Sequence, residues 1–233
     1  MDPVPHVVIL ADGEAPTRSL LDRAWPGWDH DIALVVAADG GAAHAATLGL
    51  RVDRWVGDGD SVDPALLGLL AAAGVDIRRL PIDKDATDAE VALEAAAEAG
   101  AGQVTIIGAL GGPRIDHALA NVELLGHPAI AGRPAVMYDR DGARLSLLVA
   151  PDASGGAVTR AFAGRAGDLV SLVPLGGSAR GVTTDGLQFP LRAEELAVGR
   201  TRGVSNVRIG TAARITLESG RLLVIETPAN LRP

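Results

Sequence analysis

Two aspartates spaced two apart in a glycine-rich turn, and a lone lysine in a second acidic turn, are the residues of this sequence best suited to chemistry on phosphate. In Gly57-Asp58-Gly59-Asp60-Ser61 the i, i+2 carboxylates can converge on one hard cation while the glycines leave backbone amides accessible. Mg²⁺ takes such oxygen ligands, usually one or two carboxylates with waters and substrate phosphates. The bland alternative is an Asp/Gly turn that only ends a strand. Asp83-Lys84-Asp85-Ala86-Thr87-Asp88 places three acids and a lysine before a helix start, where unpaired amides favour anions. Thr87 and Glu90 are accounted for as a capping box, and Asp88 by the helix dipole. Lys84 is not: of the 21 Lys and Arg residues it is the only Lys, and a compact ammonium acts on phosphate as a point charge where an Arg fork does not fit.

Gly108-Ala109-Leu110-Gly111-Gly112-Pro113-Arg114-Ile115-Asp116-His117 joins a glycine turn to an Arg that can clamp phosphate and an Asp that either caps a helix or binds a ligand. Asp39-Gly40-Gly41 offers a carboxylate and room beside it, a weaker signal on its own. Other chemistries lack their residues. The only Lys is followed by Asp, so no Walker A loop exists, and there is no convincing GxGxxG, no GxSxG elbow and no metal spacing among the five His. Without cysteine there are no disulfides, thiolate metal sites or thiol nucleophiles.

The elements that must position these loops follow from patterning. Apolar runs at Val7–Leu10, Ala33–Ala37, Arg54–Val56, Ile77–Leu80, Val104–Ile107 and Ala135–Tyr138 read as strands. Helical segments separate them: Asp63-Pro64 starts one that ends near Gly74, Thr87 starts one that ends at Gly100, and Asp116 is expected to cap a third running to Leu125 and Gly126. Alternating strands and helices predict a parallel-sheet α/β domain over 1–140, with ligands outside the carboxyl ends of its strands, where all four loops fall. From Asp141 the runs shorten and alternate, predicting an antiparallel β-sandwich domain over 141–233. Tight hairpin turns are expected at Asp185-Gly186 and Ser219-Gly220, with a short helix at Ala193–Val198.

A net charge of −8 without a basic run argues against nucleic acid and for a small ligand. No stretch reaches the 18 apolar residues of a membrane span and no leader is recognised, so a cytoplasmic protein is expected.

Taken in order, Ala38-Asp39-Gly40-Gly41-Ala42, Gly57 to Ser61, Asp83 to Glu90 and Gly111 to His117 resemble the signature series of thiamine pyrophosphokinases. Ser171 to Leu175, Gly181 to Thr183, Gly186 to Leu191 and Gly203 to Asn206 resemble that family's thiamine-binding domain. The resemblance spans roughly residues 33 to 226. It implies transfer of diphosphate from Mg²⁺-bound ATP to the hydroxyl of thiamine, and a homodimer with thiamine sites at the subunit interface. It also implies that Asp58, Asp60 and Asp88 hold Mg²⁺, that Lys84 joins them in catalysis, and that Asp39, Gly40, Gly41, Thr87, Arg114 and Asp116 line the nucleotide site. Phe189, Ser205 and Asn206 would face thiamine, an aromatic ring suiting a cationic heterocycle. Gly59, Pro113 and Val207 depart from the family pattern. The rival readings are a diphosphotransferase for another alcohol, such as a pterin, and a non-catalytic sensor of thiamine or nucleotide.

Overall fold

The computed structural model describes residues 5–151 and 156–229. The chain divides into two compact units, one ending at Gly142 and one starting at Ala143.

The first unit alternates strands β1 (His6–Leu10), β2 (Ile32–Ala38), β3 (Arg54–Gly57), β4 (Asp76–Arg79), β5 (Gln103–Ile107) and β6 (Ala135–Tyr138) with helices α1 (Arg18–Ala24), α2 (His44–Leu48), α3 (Pro64–Ala72), α4 (Asp88–Glu98) and α5 (Ile115–Glu123). Its strands are parallel and ordered β6-β5-β1-β2-β3-β4. Every residue of β1 is buried, which is why it reads as a continuous apolar run rather than an alternating one. Chain order reverses at β1: β2, β3 and β4 step away on one side, β5 and β6 on the other. The loops leaving β1 and β5 therefore diverge and open a crevice at the carboxyl edge.

Local chemistry sets the helix starts. Asp63 caps α3 by accepting the Ala65 N–H at 2.8 Å, with Pro64 at the first helical position. Thr87 caps α4 through the Glu90 N–H at 3.2 Å, but the reciprocal half of the capping box is not seen, because the Glu90 carboxylate turns instead toward His127 Nε2, 3.5 Å away. The third start differs from expectation. Arg114 occupies the N-cap of α5, and Asp116 lies inside the first turn; the helix ends at Glu123 and a 3₁₀ turn covers Leu124–Gly126.

The second unit packs two antiparallel four-stranded sheets. One is ordered β12-β9-β14-β7, the other β11-β10-β13-β8, from β7 (Arg144–Ala150), β8 (Val158–Ala163), β9 (Leu169–Pro174), β10 (Ala179–Asp185), β11 (Glu194–Leu196), β12 (Asn206–Val207), β13 (Ala212–Leu217) and β14 (Gly220–Thr227). Leu148, Leu172, Leu222 and Val224 from the first sheet meet Phe162, Val182, Ile215 and Leu217 from the second in one buried core. Three local expectations fail here. Ser219-Gly220 joins β13 to β14, which belong to different sheets, so it is a crossover rather than a hairpin turn. Asp185-Gly186 opens an eight-residue excursion before β11, and Ala193–Val198 holds that strand instead of a helix. A charged cluster is also buried: Glu226, fully inaccessible, accepts from Arg144 at 2.8 Å and from Arg208 at 2.5 Å, and the Arg208 Nε lacks a partner.

No helix among the described residues is long and apolar enough to cross a membrane.

Candidate active site

At the carboxyl edge of the first unit's sheet the loops following all of β1 to β5 enclose a cleft of about 470 Å³. Its walls include Asp39, Asp58, Asp60, Lys84, Thr87, Asp88 and Arg114.

Asp39 is the first residue after β2, opens a 3₁₀ turn, and holds an uncommon positive φ of 44°. Its backbone oxygen accepts the Trp55 indole N–H at 3.0 Å, and its Oδ2 accepts the Ser61 N–H at 2.9 Å. These bonds fix the carboxylate at the cleft floor, where Asp39 is only 3 % exposed and Oδ1 has no partner. Burial, reinforced by nearby Asp60 and Asp88 and partly offset by the Ser61 amide, pushes its pKa up to about 6. Gly57 makes this fit possible, since a Cβ there would stand 2.9 Å from the Asp39 Cβ.

The aspartate pair after β3 is folded by its own bonds. Asp58 Oδ1 accepts the Asp60 N–H at 3.1 Å, and Asp60 Oδ1 accepts the Ser61 hydroxyl at 3.0 Å. Carboxylate oxygens of Asp39, Asp58 and Asp60 lie within 4.8 Å of one another. This oxygen-only donor set, with a buried orphan oxygen in Asp39, fits a hard divalent cation. Lys84 stands at the rim, 2.9 Å from Asp58 Oδ2 and 3.2 Å from Asp88 Oδ1. Its ammonium holds Asp58 below the ordinary carboxylate range, whereas burial raises Asp88 despite the same partner, with the charges of Asp58 and Asp60 adding to the rise. Burial alone would lower the Lys84 pKa, but the two aspartates outweigh it and raise it. Asp88 stands beside Lys84 with its Oδ1, like that of Asp39, buried without a hydrogen-bond partner, while Asp39 is the residue whose carboxylate lies within 4.8 Å of those of Asp58 and Asp60.

The glycine loop after β5 is anchored on both sides. Ala11 and Glu14 donate their amides to Ile107 and Leu110, and Asn121, buried in α5, donates to the Ala109 carbonyl at 2.8 Å. Arg114 and Asp116 form an exposed ion pair at 2.6 Å, which holds Asp116 well below the ordinary carboxylate range. Arg114 and His117 line the cleft; Asp116 lies behind Arg114. Thr87 lines the cleft while capping α4. Gly40 and Gly41 are buried under it: a Cβ on Gly40 would strike the Asp12 carboxylate, and one on Gly41 the Leu10 carbonyl.

Asp12 is the cleft residue that sequence reasoning missed. It follows β1, lines the cleft, and has its pKa raised by burial against its walls, with His44 opposing the rise. The signal was available, because Asp12-Gly13 obeys the same strand-end rule as the other loops.

In the second unit Phe189 is 59 % exposed. Asn206 is largely buried and clasps its backbone, accepting the Phe189 N–H at 3.0 Å and donating to its carbonyl at 2.7 Å. Ser205, at φ 61°, donates its N–H to Ser171 Oγ at 3.0 Å. Phe189 is thus the exposed face of this trio and Asn206 its anchor.

Two family models match the chain: thiamin pyrophosphokinase, catalytic domain, over residues 28–137, and thiamin pyrophosphokinase, vitamin B1 binding domain, over residues 160–222. Among solved structures, the chain is similar to a thiamin pyrophosphokinase from Geobacillus thermodenitrificans, with 26% identity and a TM-score of 0.74, covering 95% of this chain and 97% of that one. A thiamin pyrophosphokinase family protein from Enterococcus faecalis matches at 25% identity and a TM-score of 0.74, covering 96% and 98%. The fold is shared with thiamine pyrophosphokinase from Bacillus subtilis at a TM-score of 0.78 and 20% identity, over 96% and 99%.

Proposed function

Because this chain belongs to the thiamin pyrophosphokinase family, we infer that it transfers a diphosphoryl group from ATP to the hydroxyl of thiamine, releasing AMP. The observation that carries this reading is the acidic cleft itself: Asp39, Asp58 and Asp60 converge within 4.8 Å, beside Lys84, inside the segment matched as the catalytic domain. In the reaction an O–P bond forms between the thiamine hydroxyl and the β-phosphorus, and the bond from that phosphorus to the oxygen bridging to the α-phosphorus breaks. The electron pair stays with AMP, and the hydroxyl proton is lost.

Asp58 and Asp60 would hold Mg²⁺, with Asp39 completing the donor set and Asp88 kept beside it by Lys84. The ion, when bound, supplies charge neutralisation for the polyphosphate. The chain's own groups position and orient. An ammonium has three N–H donors; Lys84 donates one to Asp58 and stands in ion-pair range of Asp88, leaving donor capacity for a phosphate oxygen. Asp116 steadies the Arg114 guanidinium, whose remaining donors can clamp the polyphosphate. Thr87 and the first turn of α4 bring free amides to the same wall. With a loose transition state, positioning and charge provide most of the acceleration and a strong base is unnecessary.

Phe189 would stack on the cationic ring of thiamine, with Asn206 and Ser205 setting the backbone that presents it. The same reading carries a homodimer with thiamine sites at the subunit interface, and a cytoplasmic location where ATP is available. The test is incubation of purified protein with thiamine, ATP and Mg²⁺, following AMP and thiamine diphosphate by chromatography. Equal formation of both, abolished by chelator, is the expected result. AMP without thiamine diphosphate, or thiamine binding without turnover, would overturn it.

A further inference from the structure

We propose that the first unit carries a second ligand site, for a small amphipathic anion, in a cavity of about 330 Å³ between α3 and the edge strand β4. Val62, Leu67, Ala71 and Ile77 form its apolar walls. Ile77 and Arg79, two apart on β4, project on one face of the strand, and Arg79 is the single charged residue lining the cavity.

Three observations mark out this groove, whose floor is the buried Val62 and Leu67 and whose rim includes the exposed Arg79 and Gly68. Arg79 has no ion pair or side-chain hydrogen bond among the described residues, whereas its neighbours Arg54 and Arg78 are both matched to Asp76. A guanidinium beside an apolar cavity is suited to a carboxylate or phosphate carried on an apolar body. Gly68 sits in the interior of α3, where glycine weakens a helix relative to alanine, and a Cβ there would meet nothing within 4 Å. Gly68 is exposed, so its missing side chain leaves that rim of the groove open to solvent. The cavity also shares Gly59 with the acidic loop: the Arg79 Nη1 stands 3.0 Å from where a Cβ of Gly59 would be, and Gly59 holds φ 87° between Asp58 and Asp60. An anion drawn to Arg79 would press on the backbone that spaces those carboxylates, and so alter how the loop takes a divalent cation. This coupling rests on the metal role proposed for Asp58 and Asp60; the binding site does not.

The test uses octanoate as probe, with octanol and octylamine as its neutral and cationic counterparts, titrated calorimetrically into the full-length protein. Saturable binding of one octanoate per chain is expected, weakened about tenfold or more in both Arg79→Met and Gly68→Leu, with octylamine not binding. Thermal unfolding of Arg79→Met should match the parent and that of Gly68→Leu should equal or exceed it, since a glycine is removed from a helix interior, and Gly68→Ala gives a milder filling if the leucine disturbs α3. No saturable octanoate binding, equal binding of octanol, or binding indifferent to every one of these substitutions overturns the site. Saturating octanoate should shift the Mg²⁺ concentration for half-maximal turnover in the parent and not in Gly68→Leu. An unchanged Mg²⁺ dependence overturns the coupling while leaving the calorimetric result, and the activity itself, to stand separately.

Discussion

Replacing Asp39 with asparagine should stabilise the metal-free protein while destroying its activity. Asp39 is buried, one oxygen satisfied by the Ser61 amide and the other orphaned, and its pKa rises from 3.8 to about 6. That rise corresponds to about 3 kcal/mol of extra cost for keeping the group ionised in the folded chain. A raised carboxyl pKa means the folded state binds the proton more tightly than the unfolded state. Stability therefore falls as pH climbs through the interval from about 4 to 6, and the full cost is present above it. Asparagine is isosteric and uncharged. Its oxygen can still accept the Ser61 N–H, and its amide can donate toward the neighbouring carboxylates from the position of the orphaned oxygen. Urea unfolding with chelator present should show the Asn variant more stable by up to about 3 kcal/mol at pH 8 and nearly equal to the parent at pH 4. Added Mg²⁺ should raise the stability of the parent more than that of the variant, because a cation offsets the ionised cluster only where the charge exists. A variant less stable than the parent at pH 8, or a difference that does not change with pH, would refute the electrostatic reading of this residue.

Alanine at Asp58 or Asp60 should lower turnover about 100-fold or more with the circular dichroism spectrum unchanged, and near-parental turnover in either variant would remove them from the metal site. Lys84→Met leaves Asp58 and Asp88 facing one another without a cation; its melting temperature should drop at pH 8, and the drop should shrink as pH falls through the carboxylate range where Asp58 loses its charge. In the β-sandwich, Glu226→Gln strips the buried Arg208 of its counter-charge and should cost about 3 kcal/mol by urea unfolding, part of which is recovered when Arg208→Met is added.

The first unit was legible because each of its parts is written locally. Five of the six strands are short runs rich in apolar residues, the exception being β4 with its single apolar Ile77; Asp63-Pro64 and Thr87 announce helix starts, and the loops between them fall where a parallel sheet collects ligands. The second unit was legible only as a class. Alternation in Ala212–Leu217 marks a strand with one face buried, but nothing in that segment states which sheet it joins. Ser219-Gly220 has the composition of a hairpin turn, and the strands on either side nevertheless pair with other partners, because the sandwich core requires β13 and β14 to face each other across it. The strand in Ala193–Val198 likewise depends on its pairing with β10, a tertiary contact that overrides a helix-compatible sequence.

The site divides along the same physical line. Asp58 and Asp60 were found because their spacing alone puts them in one turn, and Lys84 because it is the only Lys and stands before a helix start. The place of Asp39 in the group is not a matter of spacing. It depends on β2 lying beside β3, on Trp55 holding the Asp39 carbonyl, and on Gly57 lacking a side chain, three features separated by up to 18 positions in the chain and joined only by the sheet. Asp88 shows the converse: four residues from Lys84 in sequence, it stands beside that lysine's ammonium and keeps a pKa raised by burial. A motif names the residues that reach an edge, whereas which of them share a cation depends on burial and on the partners that neutralise each charge. Gly57→Ala separates the two contributions. It keeps every acid of the motif, yet its methyl would crowd the Asp39 Cβ and the Trp55 ring, so a large loss of Mg²⁺ affinity with a modest loss of stability is the outcome if sheet geometry assembles the site. Unchanged Mg²⁺ affinity would mean that the Asp58-Asp60 turn binds the ion without Asp39.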